Sequence, residues 1–197
     1  YRAGQLGAPI IDERTREIHD FTRKRGVISA DIVLPAGSAR WALDRSSLWN
    51  EAERAERRKD ACVAREYEVA LPAELSAVER RRLTLDFAQE LADREGCAID
   101  VCIHQPGRGG DGRNYHAHLL RTTRKVDATG LGGKLETEKA GRSRSLDLHE
   151  VRFRWEQLTN ERLRESGSQA RIDRRSLAEQ GVNRVATKHR GAAATGY

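Results

Sequence analysis

The 197-residue chain contains no methionine, and cysteine and aromatic residues are scarce. Cys62, Cys97 and Cys102 are odd in number and lack a paired CxxC spacing, which argues against a disulfide framework or a zinc knuckle and favours a reducing cytosol. No apolar run approaches the ~20 residues that cross a bilayer, and no signal peptide is visible. Because the chain starts at Tyr1 rather than at Met, we expect an N-terminal piece to precede it.

Charge is abundant and mostly positive. Lys and Arg total 36 against 30 Asp and Glu, which gives a formal net charge of +6 and a sequence pI of about 9.5. An arginine-rich basic domain is typical of proteins that bind nucleic acid or an anionic membrane, although a soluble protein with a charged surface also fits the charge. The length predicts a single domain over residues 1–197, because two domains would each have a small core.

Hydrophobic periodicity predicts an α+β fold in which helices pack on one face of an antiparallel sheet. The predicted strands cover Val27–Leu34, Glu66–Leu71, Ala98–His104 and Tyr115–Thr122. The predicted helices cover Ser38–Arg65, Glu74–Arg94 and Leu148–Glu165. Residues 126–146 are rich in glycine and charge, which predicts a surface loop.

Three of the six histidines fall in the predicted hairpin formed by the last two strands. His116 and His118 are two residues apart and therefore share one face, and on the partner strand Asp100, Cys102 and His104 form the polar face. The hairpin can bring three imidazoles to one divalent ion with coordination positions left open, and Asp100 could accept a hydrogen bond from a ligating ring. The alternative is a pair of half-exposed strand histidines with a third nearby by accident.

Basic residues are concentrated around these histidines. Cations beside an open metal site suit a substrate that carries phosphate, although each one alone also fits a solvated surface group. The glycine-rich connection lacks the Lys-Ser/Thr ending of a P-loop, which disfavours nucleotide binding. The candidate DNA-binding residues are Arg108, Arg113, Arg121, Arg124 and Lys125.

The tyrosines within the predicted strands point away from the histidines. Tyr115 shares a strand face with Ala117 and Leu119, and Tyr67 lies on the apolar face of its strand. Glu66 falls on the polar face of that same strand. Sequence pattern alone nominates no nucleophile, because a terminal tyrosine such as Tyr1 is usually a frayed residue.

The stretch IHQPGRGGDGRNYHAHLLRTTR resembles the metal motif of the MobA/MobL relaxases, the mobilisation group of the HUH endonucleases. Further segments resemble the same family in the same order: YRAGQL, DERTREIHDFTRKRGV, LWNEAERAERRKDACVAREYEVALP, RIDRRSLAEQGVNR and KHRG. The resemblance thus covers essentially the whole chain. It implies a palm-like antiparallel sheet, single-stranded DNA lying across that sheet, and a divalent ion, Mg²⁺ or Mn²⁺, held by His104, His116 and His118.

The resemblance also implies the nucleophile and the reaction. The family nucleophile sits in a segment of the type AAYRAG, which places it at Tyr1, and the strand that normally precedes it is absent from this sequence. The implied reaction is transesterification at an origin of transfer, which leaves a 5′-phosphotyrosyl link and a free 3′-hydroxyl. Glu66 matches a position that is acidic in the family and is expected to tune a ligand or accept the tyrosine proton; a carboxylate in water or paired with Arg65 is the alternative. Arg174 departs from the family, in which a histidine is common there.

The same resemblance implies where the protein works and with what. It predicts a bacterial, plasmid-encoded or mobile-element-encoded cytoplasmic protein that acts with accessory mobilisation proteins and a type IV coupling protein, without inserting into a membrane. Two other classes stay open: an HUH replication initiator that nicks a replication origin, and a non-catalytic basic DNA-binding module. A primase or helicase domain following residue 197 is also left open.

Overall fold

A computed structural model describes residues 9–184, except Lys24, Ala39, Lys59, 108–110 and 139–140, and it does not describe the side chains of 141–146. The described residues form an α+β fold, as the sequence predicts. The strands are β1 (Ile10–Ile11), β2 (Ile18–His19), β3 (Val27–Val33), β4 (Ala64–Leu71), β5 (Ile99–His104), β6 (Tyr115–Thr122), β7 (Arg124–Val126) and β8 (Leu131–Lys134). The helices are α1 (Arg45–Arg54), α2 (Ala77–Glu95) and α3 (Gly141–Glu165), with short 3-10 turns at Arg40–Leu43 and Glu136–Glu138.

The central sheet has four antiparallel strands in the order β3-β5-β6-β4. Strands β5 and β6 therefore lie in the middle, and each is hydrogen-bonded on both sides. In the β5–β6 register His104 lies opposite His116, and Cys102 lies opposite His118. In the β4–β6 register Glu66 lies opposite Leu120. This pairing places the polar face of all three strands on the same side of the sheet.

The main core lies between the other face of this sheet and helices α2 and α3. Leu83, Phe87 and Leu91 of α2 are buried against strand residues such as Val101 and Leu119. Helix α2 begins with a capping box between Ser76 and Glu79, and it ends at Gly96, whose φ of 71° is the left-handed conformation that glycine adopts at low cost. Two helices thus form one layer, and the opposite face of the sheet is left to carry the histidines.

Helix α1 lies on the histidine face, which adds partial cover that the sequence prediction did not include. Asp100 is fully buried and accepts hydrogen bonds from the Arg45 guanidinium at 2.7 and 2.8 Å and from the Trp49 indole N–H at 3.0 Å. Asn50 then joins α1 to the small β1–β2 hairpin, since it accepts from the Glu13 backbone N–H and donates to the Ile11 carbonyl, both at 2.9 Å.

Two predicted elements also differ in extent from the structure. The helix predicted over Ser38–Arg65 begins with a 3-10 turn, continues as α1 and ends at Arg54, so its last eleven residues are not helical. The region 126–146, predicted as a loop, contains most of the β7–β8 hairpin, and α3 already begins at Gly141. Strand β6 matches its predicted bounds.

Candidate metal centre

Three imidazole rings meet on the polar face of the two central strands. His104 comes from the end of β5, and His116 and His118 come from β6. Their ring centroids are 4.9 to 5.4 Å apart, and one potential ligand nitrogen from each ring lies within 4.8 Å of the others. The register brings them together because the β5–β6 hairpin pairs His104 directly with His116 and β6 alternation puts His118 on the same side.

Backbone and carboxylate acceptors hold two of these rings in a defined orientation. The His116 Nδ1 lies 3.0 Å from the Asn114 carbonyl, which can only accept, so Nδ1 is the donor. The His118 Nδ1 lies 2.9 Å from Glu66 Oε1, and an ionised carboxylate likewise accepts. In both rings Nε2 is then the nitrogen with a free lone pair. A ring held through its other nitrogen is the usual arrangement of a metal-binding histidine.

The donor set fits a divalent cation. Three neutral imidazoles can hold one ion and leave further coordination positions open, which is the pattern of a catalytic rather than a structural site. His104 is only 7% exposed, whereas His116 and His118 are partly open to solvent. A ligand could therefore approach from the β6 side. The cluster could thus bind a divalent metal ion.

The carboxylate beside the rings is Glu66 and not Asp100. The sequence pattern offered Asp100 as the partner of a ligating ring, but its oxygens accept from Arg45 and Trp49 of α1. Burial explains the difference, because a fully buried carboxylate needs a charged partner, and α1 supplies one. The alternative pairing of Glu66 with Arg65 is also excluded, because Arg65 turns to Glu138 at 3.1 Å.

Two of the candidate DNA-binding cations are structural. Arg121 is 2% exposed and lies 2.9 Å from Glu95 and 3.0 Å from Glu138, on the helix-covered face. The sequence contains a signal for this position: Arg121 is an even number of residues from Tyr115, Ala117 and Leu119 and therefore shares their face of β6. The Arg124 side chain pairs with Glu56 at 2.8 Å and donates to the Gly132 carbonyl, so it stabilises the β7–β8 hairpin.

The remaining cations are less constrained. Arg113 is exposed in the connection before β6 and forms an ion pair with Glu74. Lys125 is exposed on β7. Strand β7 follows the C-terminal end of β6, whereas His116 lies at the N-terminal end of β6. Arg108 lies outside the described residues. Of Arg113 and Lys125, Arg113 lies closer in sequence to the histidines, three residues before His116.

The described tyrosines point away from the metal centre, as strand alternation predicts. The Arg80 guanidinium lies 3.7 Å from the ring centre of Tyr115 on the α2 side. The Tyr67 hydroxyl hydrogen-bonds to Asp147, and burial raises the pKa of Tyr67 to about 12, which makes it a poor nucleophile. Tyr1 lies outside the described residues, so its position relative to the histidines is part of the proposal below.

With this geometry in place, comparison with known proteins identifies the family. The family model described as "MobA/MobL family" matches residues 1–197, the entire sequence. The chain belongs to the MobA/MobL family. Among curated relatives of this MobA/MobL chain, mobilization protein MobL of Acidithiobacillus ferridurans is 38% identical over 223 residues. Conjugal transfer protein TraA of Rhizobium radiobacter is 32% identical over 210 residues.

The MobA/MobL chain spans only part of the length of these relatives. The alignments cover 100% and 92% of this chain but only 57% of MobL and 18% of TraA. A solved structure described as "Molecular Basis of Vancomycin Resistance Transfer in Staphylococcus aureus" has a TM-score of 0.71 and 29% identity, with 86% of each chain covered. Within the described part of the chain, no helix is both long and apolar enough to cross a membrane.

Proposed function

We propose that this chain is the nicking domain of a mobilisation relaxase, a single domain over residues 1–197. In this proposal it cuts one DNA strand at an origin of transfer by metal-dependent tyrosine transesterification and later rejoins it, which initiates mobilisation of the plasmid. The observation that carries the proposal is the convergence of His104, His116 and His118 on one face of the sheet in a member of the MobA/MobL family.

The histidines would hold the cation through ring nitrogens that Glu66 and Asn114 help to orient. A divalent cation bound there supplies positive charge that neutralises the non-bridging oxygens of the scissile phosphate. Mg²⁺ or Mn²⁺ is the ion proposed in cells, and three imidazoles would physically accept Zn²⁺, Co²⁺ or Ni²⁺ as well. We assign Glu66 as a positioning residue, because its carboxylate contacts His118.

Tyr1 is the proposed nucleophile. Its phenol oxygen attacks phosphorus, the bond from phosphorus to the 3′ oxygen breaks, and the departing oxygen takes up a proton to become a free 3′-hydroxyl. The phenol loses its own proton on attack, and the 5′ end of the strand stays attached as a phosphotyrosyl ester. Because one phosphate ester replaces another, bond energy is retained and the reaction can reverse.

Alanine substitution of the ligands tests the enzymatic proposal. A labelled single-stranded oligonucleotide that carries the origin is incubated with Mn²⁺ and with the His104→Ala, His116→Ala or His118→Ala chain. We expect each change to lower the cleavage rate by about 100-fold or more, because the ion that neutralises the phosphate is lost or weakened. His149→Ala, which alters an exposed histidine of α3, should cleave at the parent rate. Cleavage that survives all three ligand changes would leave a DNA-binding module as the better description.

Substitution of tyrosines tests the nucleophile. Tyr1→Phe should abolish the protein–DNA adduct that persists on a denaturing gel, because the phenylalanine ring has no oxygen to attack phosphorus. Tyr115→Phe is the matched control and should form the adduct normally, since its ring lies on the other face of the sheet. An adduct on the Tyr1→Phe chain would place the nucleophile elsewhere.

The partners and location are proposals of the same kind. We propose that the domain acts on single-stranded DNA in the bacterial cytoplasm, with accessory mobilisation proteins and a type IV coupling protein. An HUH replication initiator would use the same chemistry at a different sequence. Cleavage of oligonucleotides from the transfer origin and from the replication origin of the host plasmid separates these two functions.

A further inference from the structure

A small cavity lies on the histidine face of the sheet, beside the metal centre. Its volume is about 230 Å³, below the ~300 Å³ at which most small-molecule pockets begin, so it suits one planar ring system better than a chain of linked groups. Apolar and aromatic side chains dominate its lining, and the principal ones are Ile10, His19, Phe21, Trp49, Ala64 and Leu120.

Hydrogen bonds keep the walls of the cavity in place. The Trp49 indole N–H donates to the buried Asp100 carboxylate at 3.0 Å, which fixes the orientation of the indole ring. Asn50 joins α1 to the β1–β2 hairpin through the Glu13 N–H and the Ile11 carbonyl, both at 2.9 Å. The cavity therefore exists before any ligand arrives, which lowers the entropic cost of binding one.

The lining chemistry favours a flat aromatic ligand without charge. The rings of His19 and Phe21 are nearly parallel, with an interplanar angle of 3° and centroids 6.5 Å apart, and both are only half-buried. Two carboxylates, Asp12 and Glu53, also line the cavity, and Glu53 pairs with Arg14 at 3.1 Å. Backbone hydrogen bonding from Thr15 lowers the pKa of Asp12, which keeps that carboxylate ionised. The ionised Asp12 disfavours a phosphate inside the cavity, whereas the aromatic rings of the lining can stack on a nucleobase.

The cavity lies two residues along from the metal centre on two neighbouring strands. Leu120 follows His118 by two residues on β6, and Ala64 precedes Glu66 by two residues on β4, all on the same face. Two residues of a strand span about 7 Å. Successive bases of a stacked strand are about 3.4 Å apart, so this span corresponds to about two nucleotides.

We propose that this cavity seats one nucleobase of the single-stranded substrate, about one to three nucleotides from the phosphate at the metal centre. The inference rests on the proposed nicking function for the position of that phosphate. The seated base would stack on Phe21 and Trp49 while its sugar and phosphate stay outside the cavity, away from Asp12. Phe21, His19 and Trp49 thereby become determinants of where the strand is positioned.

An abasic scan tests this proposal by equilibrium binding. Oligonucleotides that carry the origin, each with one abasic site at successive positions, are titrated with the chain by fluorescence anisotropy, once with EDTA and once with Mn²⁺. We expect one position, or two adjacent ones, to weaken binding about tenfold, because a base stacked on aromatic side chains is lost there. A flat scan in both conditions, or no measurable binding in either, overturns the proposal.

Side-chain changes show whether that base lies in this cavity. Phe21→Ala should weaken binding of the intact oligonucleotide about tenfold and should abolish the further loss caused by the abasic site, because both changes remove the same contact. His19→Ala provides a second variant if Phe21→Ala does not fold. Phe153→Ala removes an exposed aromatic ring of α3, and it should leave both affinities unchanged. Additive losses from Phe21→Ala and the abasic site overturn the proposal.

The two proposals can fail separately. If no abasic position weakens binding but metal-dependent cleavage is normal, only the proposal of a base-binding cavity is rejected. A single sensitive position that depends on Phe21, with no cleavage under any condition, supports the cavity and removes the nicking function.

Discussion

The Glu66 carboxylate orients a proposed metal ligand, and its removal should weaken metal binding. Glu66→Gln replaces the charged acceptor that His118 Nδ1 uses at 2.9 Å, so we expect Mn²⁺ affinity to fall about 10-fold or more. Isothermal titration of the folded chain measures this. Glu68→Gln removes the same charge from the same face of β4 and is the matched control. Equal losses in both variants would show that local charge matters and orientation does not.

Arg121 should contribute to stability and not to DNA binding. Arg121→Gln removes the buried cation between Glu95 and Glu138, which then keep only the more exposed Arg94 and Arg65 as partners, so we expect the free energy of unfolding to fall by about 2 kcal/mol. Urea denaturation measures this. The exposed Arg113→Gln serves as the control and should change stability by less than about 1 kcal/mol. A large loss of DNA affinity in folded Arg121→Gln protein would contradict this prediction and would show that Arg121 contributes to DNA binding.

For single residues of the site, the sequence predicts correctly which side chains share a face of a strand, because strand alternation alone determines this. His116 and His118 share a face because they are two residues apart, and the turn brings His104 to them. The Glu66 contact depends on β4 pairing with β6 in one register, which the sequence does not display. Arg121 lies on the opposite face of the sheet from the histidines, because it shares the strand parity of Ala117 and Leu119 and not that of His116 and His118.

The docking of α1 depends on one buried ion pair. Asp100→Asn keeps an acceptor for the Trp49 indole but leaves the Arg45 guanidinium, only 14% exposed, without its counter-charge. We expect a stability loss of about 3 kcal/mol and faster amide hydrogen exchange in α1. Mn²⁺ affinity should not change, since the Asp100 oxygens accept from Arg45 and Trp49 and the three clustered rings are not among the described partners of Asp100. Asp60→Asn, which disrupts an exposed pair with Arg58, is the control and should cost little.

At the scale of elements, the strands that carry the histidines were predicted well because they alternate clearly and end in turn residues. The helix predicted to Arg65 was too long, since its charged residues continue a helical pattern after the packing contacts of α1 have ended. Strand β8 was missed because Leu131–Lys134 contains two glycines, which carry no strand signal. Its pairing with β7 and the contact of Arg124 with Gly132 are tertiary features.

The whole molecule should lose stability as pH rises through the alkaline range. Burial raises the pKa of Cys97 from 9.0 to about 12 and that of Tyr67 from 10.0 to about 12. Both groups are neutral in the folded chain while the unfolded chain ionises first, so their stabilisation is complete below pH 9 and is lost between pH 9 and 12. Guanidinium denaturation at pH 8, 9.5 and 11 measures the slope.

A double variant tests the origin of this alkaline slope. Cys97→Ala combined with Tyr67→Phe removes both ionisable groups and should flatten the dependence of the denaturation midpoint on pH. An unchanged slope in the double variant would assign the alkaline loss to other groups.

The histidines lie on the two innermost strands of the sheet, and each of these strands is hydrogen-bonded on both sides. This placement affects how the protein acquires its ion. In small zinc-binding modules the coordination bonds themselves hold the polypeptide in shape, so a chelator unfolds them. In this chain the backbone hydrogen bonds of the four-stranded sheet and the helices packed on it already stabilise the fold. The apo-protein should therefore stay folded and bind its ion again without refolding. The ion it carries would then depend on which divalent cations are present in the cell and not on which cation was present while the chain folded.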